Sequence, residues 1–139
     1  MRYGLPVTPG DEDIVMRTIW MEARGESYEG KLAVAHVIIN RAISGRPRWN
    51  TLAQVCLDPY QFSGWRQADG NFLPALSLRP EDLRAQDCLR AFREANASLH
   101  DPTQGAKHYF NPKIADPGWA RGHTPCYVAG NHSFYNTVS

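Results

Sequence analysis

Several features common in other protein classes are missing from this 139-residue sequence. The longest nearly apolar run, 32–39, is far shorter than the roughly 20 residues that a membrane-spanning helix needs. The net charge is only +1, from 15 basic and 14 acidic residues, which argues against a protein that binds nucleic acid through a basic surface. Cys56, Cys88 and Cys126 are widely spaced and form no CxxC pair, so neither a disulfide framework nor a cysteine zinc site is indicated.

The N-terminal segment also lacks the apolar stretch of a secretory signal peptide. We therefore expect a protein that is made in the cytoplasm without an export signal. The apolar content of 42% and the charged content of 21% are those of an ordinary soluble globular protein. Because 139 residues correspond to one core, we expect a single domain over residues 1–139, acting as a monomer.

Proline and glycine divide the chain into segments with different periodicity. Four segments are predicted as helices: 9 to about 25, 27–44, 51–57 and 80–99. Thr8 and Ser27 are the candidate capping residues of the first two, and Pro80 with Glu81 and Asp82 suits the start of the last. The second is apolar nearly all round, which is typical of a buried central helix. Short strands are predicted at 106–110 and 132–135, with 66–78 irregular and 113–130 a loop. The predicted fold class is α+β, mostly α, with its small β elements in the second half.

Residues 22–26, Glu-Ala-Arg-Gly-Glu, contain the most informative acidic side chains. By helical periodicity Glu22 falls on the same face as Val15 and Ile19, which we expect to be buried. A buried carboxyl has a raised pKa and can hold a proton near neutral pH, as a general acid for glycosidic cleavage requires. Glu26, four residues on, would share that face if the helix continued, and each carboxylate would then raise the pKa of the other. The same residues also fit a solvated helix end, so periodicity alone leaves both interpretations open.

Four motifs, taken together, carry a family resemblance. They are Glu22-Ala23-Arg24-Gly25-Glu26 with its continuation to Arg41, Tyr60-Gln61-Phe62-Ser63, residues 101–112 (Asp-Pro-Thr-Gln-Gly-Ala, then His-Tyr-Phe-Asn-Pro), and residues 130–135. In order and spacing they resemble the SleB/CwlJ-type cell wall hydrolases, the spore cortex-lytic enzymes and their bacterial and phage relatives. The resemblance implies a mostly helical, lysozyme-like domain, similar to lytic transglycosylases. It also implies cleavage of peptidoglycan glycan strands at the β-1,4 bond between N-acetylmuramic acid and N-acetylglucosamine.

The resemblance places the catalytic acid at Glu22. In the implied mechanism Glu22 protonates the leaving glycosidic oxygen and then acts as base toward the muramic acid 6-hydroxyl, which forms a 1,6-anhydro product. The substrate supplies the nucleophile, so one carboxylate is enough. A hydrolytic muramidase is the alternative and needs a second carboxylate. The candidates for that second catalytic group are Glu26, Asp58 and Asp69.

The same motifs supply candidate substrate-binding residues. The hydrogen-bonding candidates along the glycan groove are Gln61, Ser63, Tyr109 and Asn111. The aromatic candidates, which either stack on sugar faces or pack in the core, are Tyr60, Trp65 and Trp119. Tyr109 is expected nearest to Glu22, where its hydroxyl would orient the carboxyl.

Two further functions stay open at this point. A zinc amidase or peptidase needs histidines clustered with a carboxylate or cysteine, yet the sequence has no HExxH motif and no helical His pair at i, i+4. We therefore predict no metal and no cofactor. A non-catalytic peptidoglycan-binding module would keep the aromatic residues and lose the acid. The lack of a visible signal peptide favours a phage lysin, or another enzyme delivered to the cell wall, over a secreted spore enzyme.

Overall fold

The computed structural model describes residues 5–138. These residues form five α-helices and a three-stranded sheet, with 3-10 turns at Ser63–Trp65 and Gly118–Ala120. The helices are α1 Pro9–Ala23, α2 Tyr28–Ala42, α3 Leu52–Leu57, α4 Phe72–Leu76 and α5 Leu83–Ala97. The strands are β1 His108–Phe110, β2 Tyr127–Ala129 and β3 His132–Tyr135. The predicted mostly helical architecture, with its β elements in the second half, is confirmed.

Helix α1 begins where its capping residues predict. Thr8 Oγ1 accepts a hydrogen bond from Asp11 N at 3.0 Å, and Asp11 Oδ2 accepts one from Thr8 N at 3.1 Å, which together satisfy amides that the first helical turn leaves open. The helix ends at Ala23, before Glu26. Glu22 and Glu26 therefore do not share a helical face. The two carboxylates do not stand side by side on one helix, as they would have to in order to raise each other's pKa.

Helix α2 is the central helix, as its composition predicts. Ser27 caps its N-terminus, and every residue from Ala33 to Ala42 is buried. Helices α1, α3 and α5 all pack against it. Removing this much apolar surface from water stabilises the fold by roughly 1.5–3 kcal/mol for each large side chain.

Two elements were not predicted from the sequence, and a third is shorter than predicted. Residues 66–78, predicted as irregular, contain α4, and the predicted loop 113–130 contains β2. Helix α4 depends on a distant partner, because the Arg17 guanidinium donates to Ala75 O at 2.5 Å and to Leu78 O at 2.9 Å. Such a tertiary contact leaves no periodic signal in a five-residue segment. Helix α5 is also shorter than predicted, because residues 79–82 form a turn in which Arg79 N donates to Asp82 Oδ2 at 3.0 Å.

The sheet has the order β1-β3-β2, and both pairings are antiparallel. Tyr109 of β1 faces Phe134 of the central strand β3. All four residues of β3 are buried, whereas Val128 of the edge strand β2 is exposed. No helix within residues 5–138 is both long enough and apolar enough to cross a membrane.

The Asp-Pro-Thr motif at 101–103 joins the helices to the sheet. The Asp101 carboxylate accepts hydrogen bonds from Asn40 Nδ2 (2.8 Å), Thr103 N (2.8 Å), Thr103 Oγ1 (2.7 Å) and Gly105 N (2.9 Å), and it lies 3.5 Å from His36 Nδ1. Burial would raise the pKa of Asp101, but these hydrogen bonds outweigh it and the pKa is lowered. The motif thus fixes the turn before β1 against α2.

Candidate active site

Glu22 lies in the last turn of α1, at the wall of a cleft of about 420 Å³. The cleft is open to solvent and draws its lining from α1, α2, the loop after α3, β1, the loop after β1, and the start of β3. Its lining residues are Met21, Glu22, Arg41, Tyr60, Gln61, Phe62, His108, Tyr109, Phe110, Asn111, Ile114, Trp119 and His132. Below we call this space the Glu22 cleft.

The Glu22 carboxyl makes a strong polar contact with Tyr109. Tyr109 Oη donates a hydrogen bond to Glu22 Oε1 at 2.5 Å. Burial disfavours the charged carboxylate and raises the pKa of Glu22, whereas the Tyr109 hydrogen bond and the Arg41 charge lower it without cancelling the rise. The negative charge of Asp69 adds a smaller upward contribution. Tyr109 thus lies next to Glu22, as expected from the sequence.

Arg41 brings a buried positive charge to the Glu22 cleft. Its Nε donates to Lys107 O at 2.9 Å, and its guanidinium lies 5.1 Å from the centre of the Phe62 ring. Burial lowers the pKa of Arg41, but a guanidinium stays protonated in proteins. Arg41 was not among the predicted site residues, although a charged residue within the buried stretch of α2 is a signal for a functional role.

Two histidines, His108 and His132, also line the cleft. The His132 ring lies 5.2 Å from that of Tyr109. Burial and nearby positive charges lower the pKa of His108 to about 4, and burial lowers the pKa of His132 against the charge of Glu26. Both imidazoles are therefore neutral near neutral pH. The sequence assigned no role in glycan binding to His108 or His132. No group of three or more His, Cys, Asp or Glu side chains within residues 5–138 is arranged to hold a metal ion.

Six of the nine predicted site residues line the cleft, namely Glu22, Tyr60, Gln61, Tyr109, Asn111 and Trp119. Three do not. Trp65 donates from Nε1 to Thr18 Oγ1 at 2.8 Å and packs against the core, so it follows the packing alternative and not the sugar-stacking one. Ser63 is exposed outside the cleft lining, and Glu26 contacts the turn between β2 and β3.

The other candidate second carboxylates also lie outside the lining. Asp58 accepts hydrogen bonds from Trp49 Nε1 at 2.8 Å and from Tyr60 N at 2.9 Å. Asp69 accepts one from Asn71 N at 2.8 Å, although its charge acts on Glu22. Within residues 5–138, Glu22 is thus the one carboxylate that lines the cleft.

Comparison with known proteins gives consistent matches. The Cell Wall Hydrolase family model matches residues 25–135, and Glu22 precedes that range by three residues. A spore cortex-lytic enzyme of Halalkalibacterium halodurans is 33% identical over 135 residues, which cover 95% of this chain and 37% of that protein. The spore cortex-lytic enzyme of Bacillus subtilis is also 33% identical, over 89% of this chain and 37% of its own length.

Two solved structures share the fold. The catalytic domain of the Bacillus cereus SleB protein superposes with a TM-score of 0.73 at 28% identity, covering 98% of both chains. The catalytic domain of the germination-specific lytic transglycosylase SleB from Bacillus anthracis gives a TM-score of 0.71 at 27% identity, covering 98% of this chain and all of that one. The mostly helical, lysozyme-like fold implied by the sequence resemblance is confirmed.

The chain spans about two fifths of the length of the curated relatives that it matches, but nearly all of the two SleB catalytic domains. The family model covers most of the chain, and the relatives share about a third of their aligned residues with it. This chain belongs to the Cell Wall Hydrolase family.

Proposed function

We propose that this chain cleaves peptidoglycan glycan strands between N-acetylmuramic acid and N-acetylglucosamine as a lytic transglycosylase, with Glu22 as both acid and base. The observation that carries the proposal is the setting of Glu22. It is the one carboxylate lining the cleft within residues 5–138, its pKa is raised, and Tyr109 fixes its orientation. Such a carboxyl holds a proton under conditions where an ordinary glutamate has lost it.

In the first step Glu22 acts as general acid. Tyr109 donates to Oε1, which leaves Oε2 to carry the proton. That proton passes to the glycosidic oxygen as the bond to the anomeric carbon of the muramic acid breaks, and the bonding electrons leave with the oxygen. The glucosamine end departs as an alcohol, and the muramic ring becomes oxocarbenium-like.

In the second step Glu22 acts as general base. The Tyr109 hydrogen bond and the Arg41 charge stabilise the carboxylate produced by the first step. This carboxylate takes the proton of the muramic acid 6-hydroxyl while that oxygen bonds to the anomeric carbon. The 1,6-anhydro ring closes, Glu22 regains its proton, and no water is consumed.

The remaining cleft residues suit a neutral, polyhydroxylated substrate. Gln61 and Asn111 present amide groups that can hydrogen-bond to sugar hydroxyls and acetamido groups. Tyr60, which is 76% exposed, and Trp119 offer aromatic faces. Trp119 is held by edge-on contacts with Phe110 and Tyr135 at 5.5 and 5.4 Å, so its position is set before substrate binds.

A hydrolytic muramidase is the second candidate. The observation that favours it is the effect of the Asp69 charge on Glu22. Of the three candidate second carboxylates, Asp69 is the one whose charge contributes to the raised pKa of Glu22. In a hydrolytic reaction Asp69 would activate water, and the muramic acid product would keep a reducing end.

Mass spectrometry of the muropeptides released from purified peptidoglycan separates these proposals. A 1,6-anhydro muramic end is the expected result. A reducing muramic end would identify a muramidase, and a reducing glucosamine end would identify a glucosaminidase. Free stem peptides would identify an amidase. Binding to sacculi without release of any fragment would identify a binding module.

A further inference from the structure

Glu26 is an acidic residue whose side chain is held by hydrogen bonds but has no role in the proposed reaction. It follows the end of α1, and its carboxylate accepts two hydrogen bonds from one residue, Asn131 N to Oε1 and Asn131 Nδ2 to Oε2, each at 2.9 Å. Both oxygens are therefore directed at the turn between β2 and β3. Neither is turned toward the Glu22 cleft, whose lining does not include Glu26.

A third side chain fixes the orientation of this contact. Lys113 Nζ donates to Asn131 Oδ1 at 2.9 Å. With its oxygen bound to a cation, the Asn131 amide must present its NH2 group to Glu26. The contact thus joins three separate parts of the chain, the α1–α2 connection, the loop after β1 and the β2–β3 turn.

Glycine at two positions permits this close approach. Gly130 has φ +57°, and a Cβ there would lie 2.5 Å from Glu26 Oε1. A Cβ at Gly30, in the first turn of α2, would lie 2.8 Å from Glu26 Cβ. Glu26 therefore lies half-buried between α2 and the β2–β3 turn, in close contact with both glycines.

The turn leads directly into the cleft. Asn131 precedes His132, the first residue of β3, whose buried ring lies 5.2 Å from that of Tyr109. Tyr109 in turn donates to Glu22. A displacement of the β2–β3 turn would therefore move the ring that packs against the hydrogen-bond donor of the catalytic acid.

From these contacts we propose that Glu26 is a positioning residue: it holds the β2–β3 turn and, through His132, keeps Tyr109 in place on Glu22. The inference rests on the proposed role of Glu22. It assigns Glu26 a function other than that of a second catalytic carboxylate. The charge state agrees, because the pKa of Glu26 is lowered: burial would raise it, but the Asn131 hydrogen bonds and the charge of Lys113 outweigh that effect, with a further contribution from His132 when its ring is protonated.

A double-mutant cycle tests the contact itself. Glu26→Gln and Asn131→Ala are each expected to lower Tm by roughly 3–8 °C, because each removes hydrogen bonds to a carboxylate. The Tm of the double variant should be no lower than that of the less stable single variant, since both changes remove the same interaction. Glu29→Gln, an exposed glutamate nearby, is the matched control and should shift Tm by about 1 °C or less. Fully additive losses would contradict the contact.

The effect on Glu22 is measured without reference to activity, by following the Glu22 carboxyl carbon in an NMR pH titration. The Tyr109 hydrogen bond lowers the pKa of Glu22. Loosening Tyr109 should therefore raise that pKa in both Glu26→Gln and Asn131→Ala. A lower Tm with an unchanged Glu22 titration would mean that Glu26 is purely structural, and the proposal would fail. Should either variant not fold, Lys113→Gln, a change at an exposed side chain, decides by the same titration.

Activity then separates positioning from direct catalysis. Positioning predicts that Glu26→Gln and Asn131→Ala both lower kcat by roughly tenfold or more, with little change in KM. If Glu26 were itself catalytic, Glu26→Gln would lose activity while Asn131→Ala kept the wild-type kcat, and the proposal would be overturned. A fully active Glu22→Gln would instead defeat the proposed function, and the Tm cycle and the titration would still test Glu26.

Discussion

Tyr109 Oη lies 2.5 Å from Glu22 Oε1, although 87 positions separate the two residues in the sequence. Glu22 is placed by the last turn of α1, and Tyr109 by a three-residue strand. The Asp101 hydrogen bonds before β1 and the β3 pairing on its other side hold that strand in position. The acid of the proposed reaction thus depends on the small sheet as much as on its own helix.

Tyr109→Phe removes the hydroxyl and keeps the ring. A hydrogen bond to a charged group contributes about 1.5–3 kcal/mol, so we expect kcat to fall about 10- to 150-fold. The pKa of Glu22 should rise, because the Tyr109 bond lowers it, and the alkaline limb of the pH–rate profile should move to higher pH. Tyr127→Phe, in β2 and outside the cleft lining, serves as control. An unchanged rate and pH profile in Tyr109→Phe would contradict its role.

Arg41→Gln should lower the stability of the fold and raise the pKa of Glu22. It leaves Lys107 O without its charged donor and removes the contact with Phe62, so we expect about 2 kcal/mol of lost stability in chemical denaturation. The pKa of Glu22 should rise, because the Arg41 charge lowers it. Arg121→Gln is the matched control: Arg121 and Asp116 are both highly exposed and lie 3.9 Å apart, and such a pair contributes about 0–1 kcal/mol. Equal effects of the two changes would count against a role for Arg41.

His108 predicts a pH dependence of stability. Its pKa falls from the ordinary 6.5 to about 4 in the folded protein, chiefly through burial. Between these values the unfolded chain binds a proton at His108 that the folded chain does not, so stability falls as pH falls through this window. His108→Gln should make the dependence of Tm on pH shallower there. An identical slope in the variant would refute this assignment.

Asp101→Asn tests the joint between helices and sheet. An asparagine keeps one acceptor oxygen, so its NH2 group would face either the two Thr103 donors or the donors on Asn40 and Gly105, and donors left without an acceptor cost about 1–3 kcal/mol each. We expect a loss of about 2–4 kcal/mol in denaturation, together with lower activity, because β1 carries Tyr109. Asp116→Asn, at a highly exposed side chain, should be close to neutral. A neutral Asp101→Asn would mean that the motif does not hold the strand.

The local features of this fold could be predicted from the sequence. Thr8 and Ser27 cap the helices that the sequence predicts after them, because capping and apolar spacing act within one or two turns. Glu22 could be placed on the inner face of α1 for the same reason. The end of α1 was harder to predict from the sequence. The helix stops at Ala23, before Glu26, and Glu26 therefore faces the sheet.

Features that depend on distant contacts could not be predicted. Helix α4 relies on Arg17, and β2 is a three-residue edge strand with an exposed valine at its centre, so neither leaves a periodic signal. An aromatic residue in a loop gives no indication of whether it packs or binds: Trp65 is held by Thr18, whereas Trp119 lines the cleft. The single-domain organisation, the monomeric state and delivery as a phage-type lysin stay predictions.

The most direct test of the central claim compares wild type with Glu22→Gln in the release of soluble muropeptides from purified sacculi. The substitution keeps the size of the side chain and removes its acid, so we expect release to fall about 100-fold or more. Binding to sacculi and Tm should stay close to wild type, and Glu29→Gln should release fragments at the wild-type rate. Release by a folded Glu22→Gln at the wild-type rate would contradict the account.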